Sequence, residues 1–156
     1  MKIANPKKIL DPYEWLPKYG ESAVSFHSSN LDTVIEITYE QIRENPDGTT
    51  AAQHFRRNII FHYVRYFLRL PFPENLSFEY VGNPEDFKLG DLMEFEKSDL
   101  IAQNAHAWHL ATTSASVPNF RHFSIQFLSE NITFHIVTKE VSLSEASPIT
   151  KLNING

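Results

Sequence analysis

The chain has 156 residues, 42% of them apolar and 21% charged, which is the make-up of one compact domain and of neither a disordered nor a membrane protein. Its 19 acids outnumber its 14 lysines and arginines, a net charge of −5, which speaks against the basic face that phosphate contacts demand of a nucleic-acid binder. With no cysteine, disulfides, thiolate metal ligands and a cysteine nucleophile are excluded.

Residues 1–19 contain Pro6, Pro12 and Pro17 and read as an extended N-terminal arm, pinned to the body by Tyr13, Trp15, Leu16 and Tyr19. The arm has early lysines but no apolar run of signal-peptide type, and no window of the chain approaches the ~18 apolar residues of a membrane span. A cytoplasmic protein without membrane contact is expected. Alternation from Ser22 to His27, a turn at Ser28-Ser29-Asn30 and a cleaner alternation from Thr33 to Ile42 predict two strands. Asn45-Pro46-Asp47-Gly48 is a turn signal, with proline set for the second position and glycine free to take positive φ.

Residues 49–70 carry competing signals. Thr50-Ala51-Ala52-Gln53 fits a helix capping box, and Phe55, Ile59, Tyr63, Tyr66 and Leu70 keep helical spacing. Seven of the nine residues from Ile59 to Phe67, however, are β-branched or aromatic. This predicts a short helical turn near 50–55 and a long strand from about Asn58 to Leu70, ended by Pro71 and Pro73. Leu76–Val81 and Leu89–Phe95 read as further strands, the second broken by Gly90, and residues 98–113 as a helix capped by Ser98.

From Asn119 to Leu143 the chain alternates, pauses at Ser129-Glu130-Asn131 and alternates again, which predicts a hairpin. An even-numbered loop that pairs Phe127 with Phe134 and Ile125 with Ile136 gathers four large apolar groups on one face, and leaves His122, Ser124, Gln126 and His135 on the other. The polar tail after Ser147 is expected to fray. The fold class is therefore mainly β (α+β): a single domain over residues 1–156, built as an antiparallel curved sheet or two-layer sheet with one or two helices.

Three groups of residues are candidates for a site. Between Glu74 and Asp99 eight acids stand against Lys88 and Lys97, while Arg56 to Arg69 holds four arginines and no acid. An acidic binding face of Glu85, Asp86, Asp91, Glu94, Glu96 and Asp99 follows, with the arm aromatics Tyr13 and Trp15 as interface anchors. His106 and His109 share a helix face in the HAWH sequence, and with His122 and His135 they offer neutral ring nitrogens of the type zinc takes. Ser114 and Ser116 are the hydroxyls a catalytic triad would draw on, but no GxSxG elbow, phosphate loop or dinucleotide fingerprint is present. Asn131-Ile132-Thr133 matches a glycosylation sequon, and its place at a hairpin turn explains the asparagine by its tolerance of positive φ.

The segments GESAVSFHSSNLDTVIEI near residues 20–37, IIFHYVRYF at 59–67 and RHFSIQF…ITFHIVTKEVSL at 121–143 resemble small bacterial proteins, some grouped as immunity proteins of toxin systems. Ser28 stands where such proteins often carry an aspartate after the FH pair. The resemblance implies a sheet-rich, acidic, cytoplasmic inhibitor that acts on another protein by surface contact, without catalytic residues or a cofactor. The leading expectation is thus a non-enzymatic binding protein. One alternative is a small-molecule or metal site on the polar face of the hairpin; another is a self-associating subunit that uses an exposed sheet edge.

Overall fold

The computed structural model describes residues 1–17, 23–73, 77–112 and 116–150. Tyr19, Leu76, Ser114 and the last residues of the tail, 151–156, lie outside them. In chain order the strands are β1 (Lys2–Leu10), β2 (Ala23–Ser29), β3 (Asp32–Glu44), β4 (Thr50–His62), β5 (Tyr66–Pro71), β6 (Glu79–Val81), β7 (Leu92–Ser98), β8 (Arg121–Phe127), β9 (Ile132–Thr138), β10 (Glu140–Leu143) and β11 (Ser147–Ile149), with helix α1 (Asp99–Ala111) between β7 and β8. One sheet runs β5-β9-β8-β7-β1-β6, antiparallel except for the β1–β6 pair. The other runs β10-β4-β3-β2, with β11 following β10 along the same edge of β4. This is the mainly β architecture expected, in its two-layer form.

Strand alternation builds the core between the layers. Ile35, Ile37 and Tyr39 of β3 and Phe55, Ile59 and Phe61 of β4 face Phe123, Ile125 and Phe127 of β8 and Ile132, Phe134 and Ile136 of β9. Each such side chain contributes about 1.5–3 kcal/mol on burial, so this interface is the dominant stabilising term. At one end of the interface Arg121 closes on Glu94 with two bonds of 2.8 and 2.7 Å, and lies over the Phe123 ring.

The two sheets are joined at a corner. The long strand expected from Asn58 to Leu70 is two strands in different sheets, because Tyr63 adopts φ +59° and breaks the extended run. Val64 and Arg65 then bond to Leu31 and Val137, one partner beside each sheet. The chain crosses back between β9 and β10 at the same place: His62 O accepts from Lys139 N at 3.2 Å and from Thr138 Oγ1 at 2.5 Å. Strand thus prevails over helix in this region, and it extends to residues 50–55, where a helical turn was expected. The donors that a capping box would satisfy are taken there by the ladder Gln41–Gln53 to Glu44–Thr50.

Three further differences have similar causes. Residues 2–10 of the predicted arm are extended but form β1, held between β7 and β6, with Asn5 at φ +53° ahead of Pro6. Ser147–Ile149 pairs with Arg56–His54 rather than fraying. In the hairpin the loop is even, Leu128–Asn131, but the register lies two residues from the one expected: Phe127 opposes Ile132, Ile125 opposes Phe134 and Phe123 opposes Ile136. A shift of two preserves every side-chain face, so the assignment of faces stands.

Truncating the centre of the core, Phe134→Ala, should lower unfolding free energy by about 3–5 kcal/mol in urea titrations. Asn131 has φ +52° at the hairpin turn. Asn131→Ala should therefore cost about 1 kcal/mol, whereas Asn131→Gly should be neutral or stabilising; equal losses for both would contradict a backbone origin.

Candidate functional site

The second face of β8 and β9 carries His122, Ser124, Gln126, Thr133 and His135, all buried. The register opposes Ser124 to His135 and Gln126 to Thr133, so the alternation that makes the apolar face makes this one too. It is covered by Leu100 and Trp108 of α1 and by Phe78, Tyr80 and Phe87 of the connection between β5 and β7; with Ile3, Phe95 and Phe120 these form a second apolar cluster.

A directed chain of hydrogen bonds runs through it. Ser98 caps α1, its Oγ accepting from Leu100 N at 3.2 Å and Ile101 N at 3.4 Å. Those bonds use both lone pairs, so the hydroxyl proton is donated to His122 Nδ1 at 2.7 Å. Neutral His122 then carries its proton on Nε2 and donates it to His135 Nδ1 at 3.0 Å. Phe78 stacks on His135 with centroids 3.9 Å apart, and Phe95 lies 5.4 Å from the His122 ring. Burial, followed by the neighbouring His135, pushes the His122 pKa down to about 3. Ser98 beside a histidine is not an activated nucleophile, since its oxygen lone pairs are engaged by the helix and the histidine is 0% exposed.

Beside His135 the cover leaves a pocket of about 150 Å³. Phe72, Phe78, Tyr80 and Phe87 wall it, Leu89 lies at its rim, and Gln126, Thr133 and His135 form its polar side. Gln126 is committed on both amide atoms: Oε1 accepts from Gly90 N at 3.3 Å and Nε2 donates to Ser124 Oγ at 3.4 Å. Gly90 is required there, since it sits at φ +92° and a Cβ would lie 2.7 Å from the Tyr13 ring. Thr133 is 2% exposed, and its Oγ1 has no hydrogen-bond partner among the described residues.

The structure brings together only some of the residues expected in a site. His122 and His135 meet, but His106 and His109 are exposed on α1, and among the described residues no three potential metal ligands converge. The hairpin histidines face inward under the cover, and this separates them from the helical pair. The acids are dispersed as well. Glu85, Asp86 and Glu96 are exposed; Asp99 accepts from Lys2 N at 2.7 Å; Glu94 is paired with Arg121, whose bonds hold its carboxyl below the usual range against the effect of burial. Asp91 is 1% exposed, and burial pushes its carboxyl up, reinforced by Asp11, while Lys88 bridges the two at 3.3 and 3.7 Å. For Asp11 burial acts upward too, but is outweighed by Tyr13 N and Lys88, and its carboxyl lies low.

Tyr13 and Trp15 close the edge of the main core: Trp15 lies 5.2 Å from Tyr39 and beneath Arg57. The arginines are also split, Arg56 facing Glu36 at 3.6 Å and Arg65 lying over Trp108. Thr133 was not singled out by sequence, although its place two residues before His135 puts it on the same face. Phe78 falls within the strand expected over Leu76–Val81, of which Glu79–Val81 forms β6, and Phe87 carries no local signal; the tertiary path of the connection brings both over the sheet.

Comparison of the chain with protein-family models, curated proteins and solved structures finds no match. No helix among the described residues is long and apolar enough to cross a membrane.

The depressed pKa of His122 makes stability depend on acid. Between 6.5, its ordinary value, and about 3 the unfolded chain takes a proton that the native imidazole refuses, so stability present above pH 6.5 is lost as pH falls through this window. Urea titrations should show a loss of about 2 kcal/mol between pH 7 and pH 5 from this group. His122→Gln should be less stable at pH 7 but show a flatter profile; an unchanged slope would assign the effect to other groups. Nitrogen-15 spectra of native protein should show His122 protonated on Nε2.

Proposed function

We propose that the chain is a non-enzymatic binding protein whose recognition site is the pocket beside Thr133 and His135. The observation that carries this reading is a largely aromatic concavity with a few convergent polar groups, one of them a buried hydroxyl without a partner among the described residues. The histidine pair serves as support: His122 is buried and anchored to the α1 cap, and His135, bonded to it, forms part of the floor on which the pocket stands.

The exposed surface of the connection that carries the walls favours a protein as the source of what binds. Leu89, which lines the pocket, is 46% exposed and Val81 47%, and Glu85 and Asp86 are exposed between them in sequence. An apolar anchor entering the pocket, with basic residues meeting these acids, is the geometry of a surface-contact inhibitor of the immunity type, acting in the bacterial cytoplasm. The self-associating alternative draws on β2, a seven-residue edge strand with Phe26 46% exposed.

Titrating a panel of neutral one-ring compounds at millimolar concentration should shift the amide signals of Gln126, Thr133 and Tyr80 while leaving those of β2 and β3 in place. Leu89→Trp at the rim should abolish the shifts. Shifts spread over the surface, or none at all, would remove the pocket as the recognition site.

A further inference from the structure

We propose that the pocket binds a single neutral aromatic ring of phenol size, with the ring's hydroxyl hydrogen-bonded to Thr133 Oγ1. This deepens the reading of the pocket as the recognition site and rests on it. Size sets the first limit. A cavity of about 150 Å³ is the volume that accommodates a benzene-sized molecule, and not a two-ring or nucleotide-sized one. Charge sets the second. Among the described residues, none of those lining the pocket is an acid, a lysine or an arginine, so an ion entering would lose its hydration without a counter-charge. Shape sets the third: Phe72, Phe78, Tyr80 and Phe87 offer ring faces and edges, against which a flat aromatic group packs at ordinary ring-pair distances.

The polar part of the ligand follows from which groups are already engaged. Both amide atoms of Gln126 are bonded within the protein, and His135 Nδ1 accepts from His122. Thr133 is different: the residue lines the pocket, and its Oγ1, buried against the wall, has no partner among the described residues. A threonine hydroxyl can donate and accept, and a phenolic hydroxyl is its complement in both roles. One ring with one hydroxyl therefore matches the site in volume, neutrality and hydrogen bonding. The same chemistry occurs as a free phenol and as a tyrosine side chain presented by a partner protein.

The test compares p-cresol with toluene, which differ by that hydroxyl, by chemical-shift titration of the full chain in its native, Thr133→Val and Thr133→Ser forms. In the native protein p-cresol should bind about 5-fold or more tighter than toluene, the factor that one net hydrogen bond supplies. Thr133→Val should erase the preference, and its melting temperature without ligand should rise, because the substitution removes an unsatisfied buried hydroxyl. Thr133→Ser retains the group and should retain the preference. A preference that survives in Thr133→Val, or equal binding of both compounds to native protein, overturns the hydroxyl assignment while leaving the pocket as a site. Binding of neither compound overturns the site as well. A blocked tripeptide with a central tyrosine separates the two sources: binding at least as tight as p-cresol assigns the ring to a partner protein, and exclusion of the peptide assigns it to a free phenol.

Discussion

The structure depends on one hairpin being buried on both faces. A strand pair at the surface of a two-layer protein has one dry face and one wet one, and its sequence alternates accordingly. Here β8 and β9 lie in the interior of their sheet, flanked by β7 and β5, with the other sheet on one side and α1 and the β5–β7 connection on the other. The alternation persists, but its polar half is dry. That half must satisfy its hydrogen bonds internally, since a buried donor or acceptor without a partner costs about 1–3 kcal/mol. Ser98, His122, His135, Ser124 and Gln126 answer this requirement by bonding to one another and to the backbone of the cover.

The same requirement couples layers that apolar packing alone would leave free to slide. The Ser98 hydroxyl belongs at once to the cap of α1 and to the histidine pair, and Gln126 ties Gly90 at the entry to β7 to the centre of the sheet. Gly90 in turn lies against Tyr13, which reaches back to the segment after β1. Because the hydroxyl proton can point only one way, the tautomers of both histidines follow from the helix cap. Protonating His122 would put two donors face to face at 2.7 Å, and hydration is not at hand to relieve them. Acid sensitivity is therefore a consequence of how the helix is started.

Where sequence was informative, the physics was local. Face assignment in the hairpin depends only on alternation, so an error of two in the register left it intact. The Asn45–Gly48 turn, the Ser98 cap and the positive φ of Asn131 are set by residues within a few positions of one another, and all were legible. The break at Tyr63 was not, because a tyrosine at positive φ is imposed by the packing of the corner, where Lys139 sits 4.3 Å from its ring. Nor did composition separate exposed acids from Asp91 and Glu94, whose charges are taken up by Lys88 and Arg121, residues distant from at least one member of each cluster. The candidate site was half legible: its floor lies on an alternating strand pair, whereas its walls, apart from the short alternation around Phe78 and Tyr80, are placed by a tertiary path that no local pattern encodes.

That division between floor and walls bears on what the pocket can do. A regular strand pair holds Thr133 and His135 to a fixed spacing, which is how a binding group is kept in position without its own ligand. The walls stand on a connection whose regular pieces among the described residues are β6 and a 3-10 turn at Pro84–Asp86, and they are held largely by ring contacts such as Tyr80–Phe87 at 5.7 Å and Phe87–Phe95 at 5.9 Å. Ring contacts of this kind repack at small cost, whereas a ladder does not. A rigid polar floor under adaptable aromatic walls suits recognition by hydrogen-bond position first and by shape second. It also explains how a buried hydroxyl without a partner among the described residues is tolerated here: the register of β9 that aligns His135 with its partner fixes Thr133 two residues away on the same face.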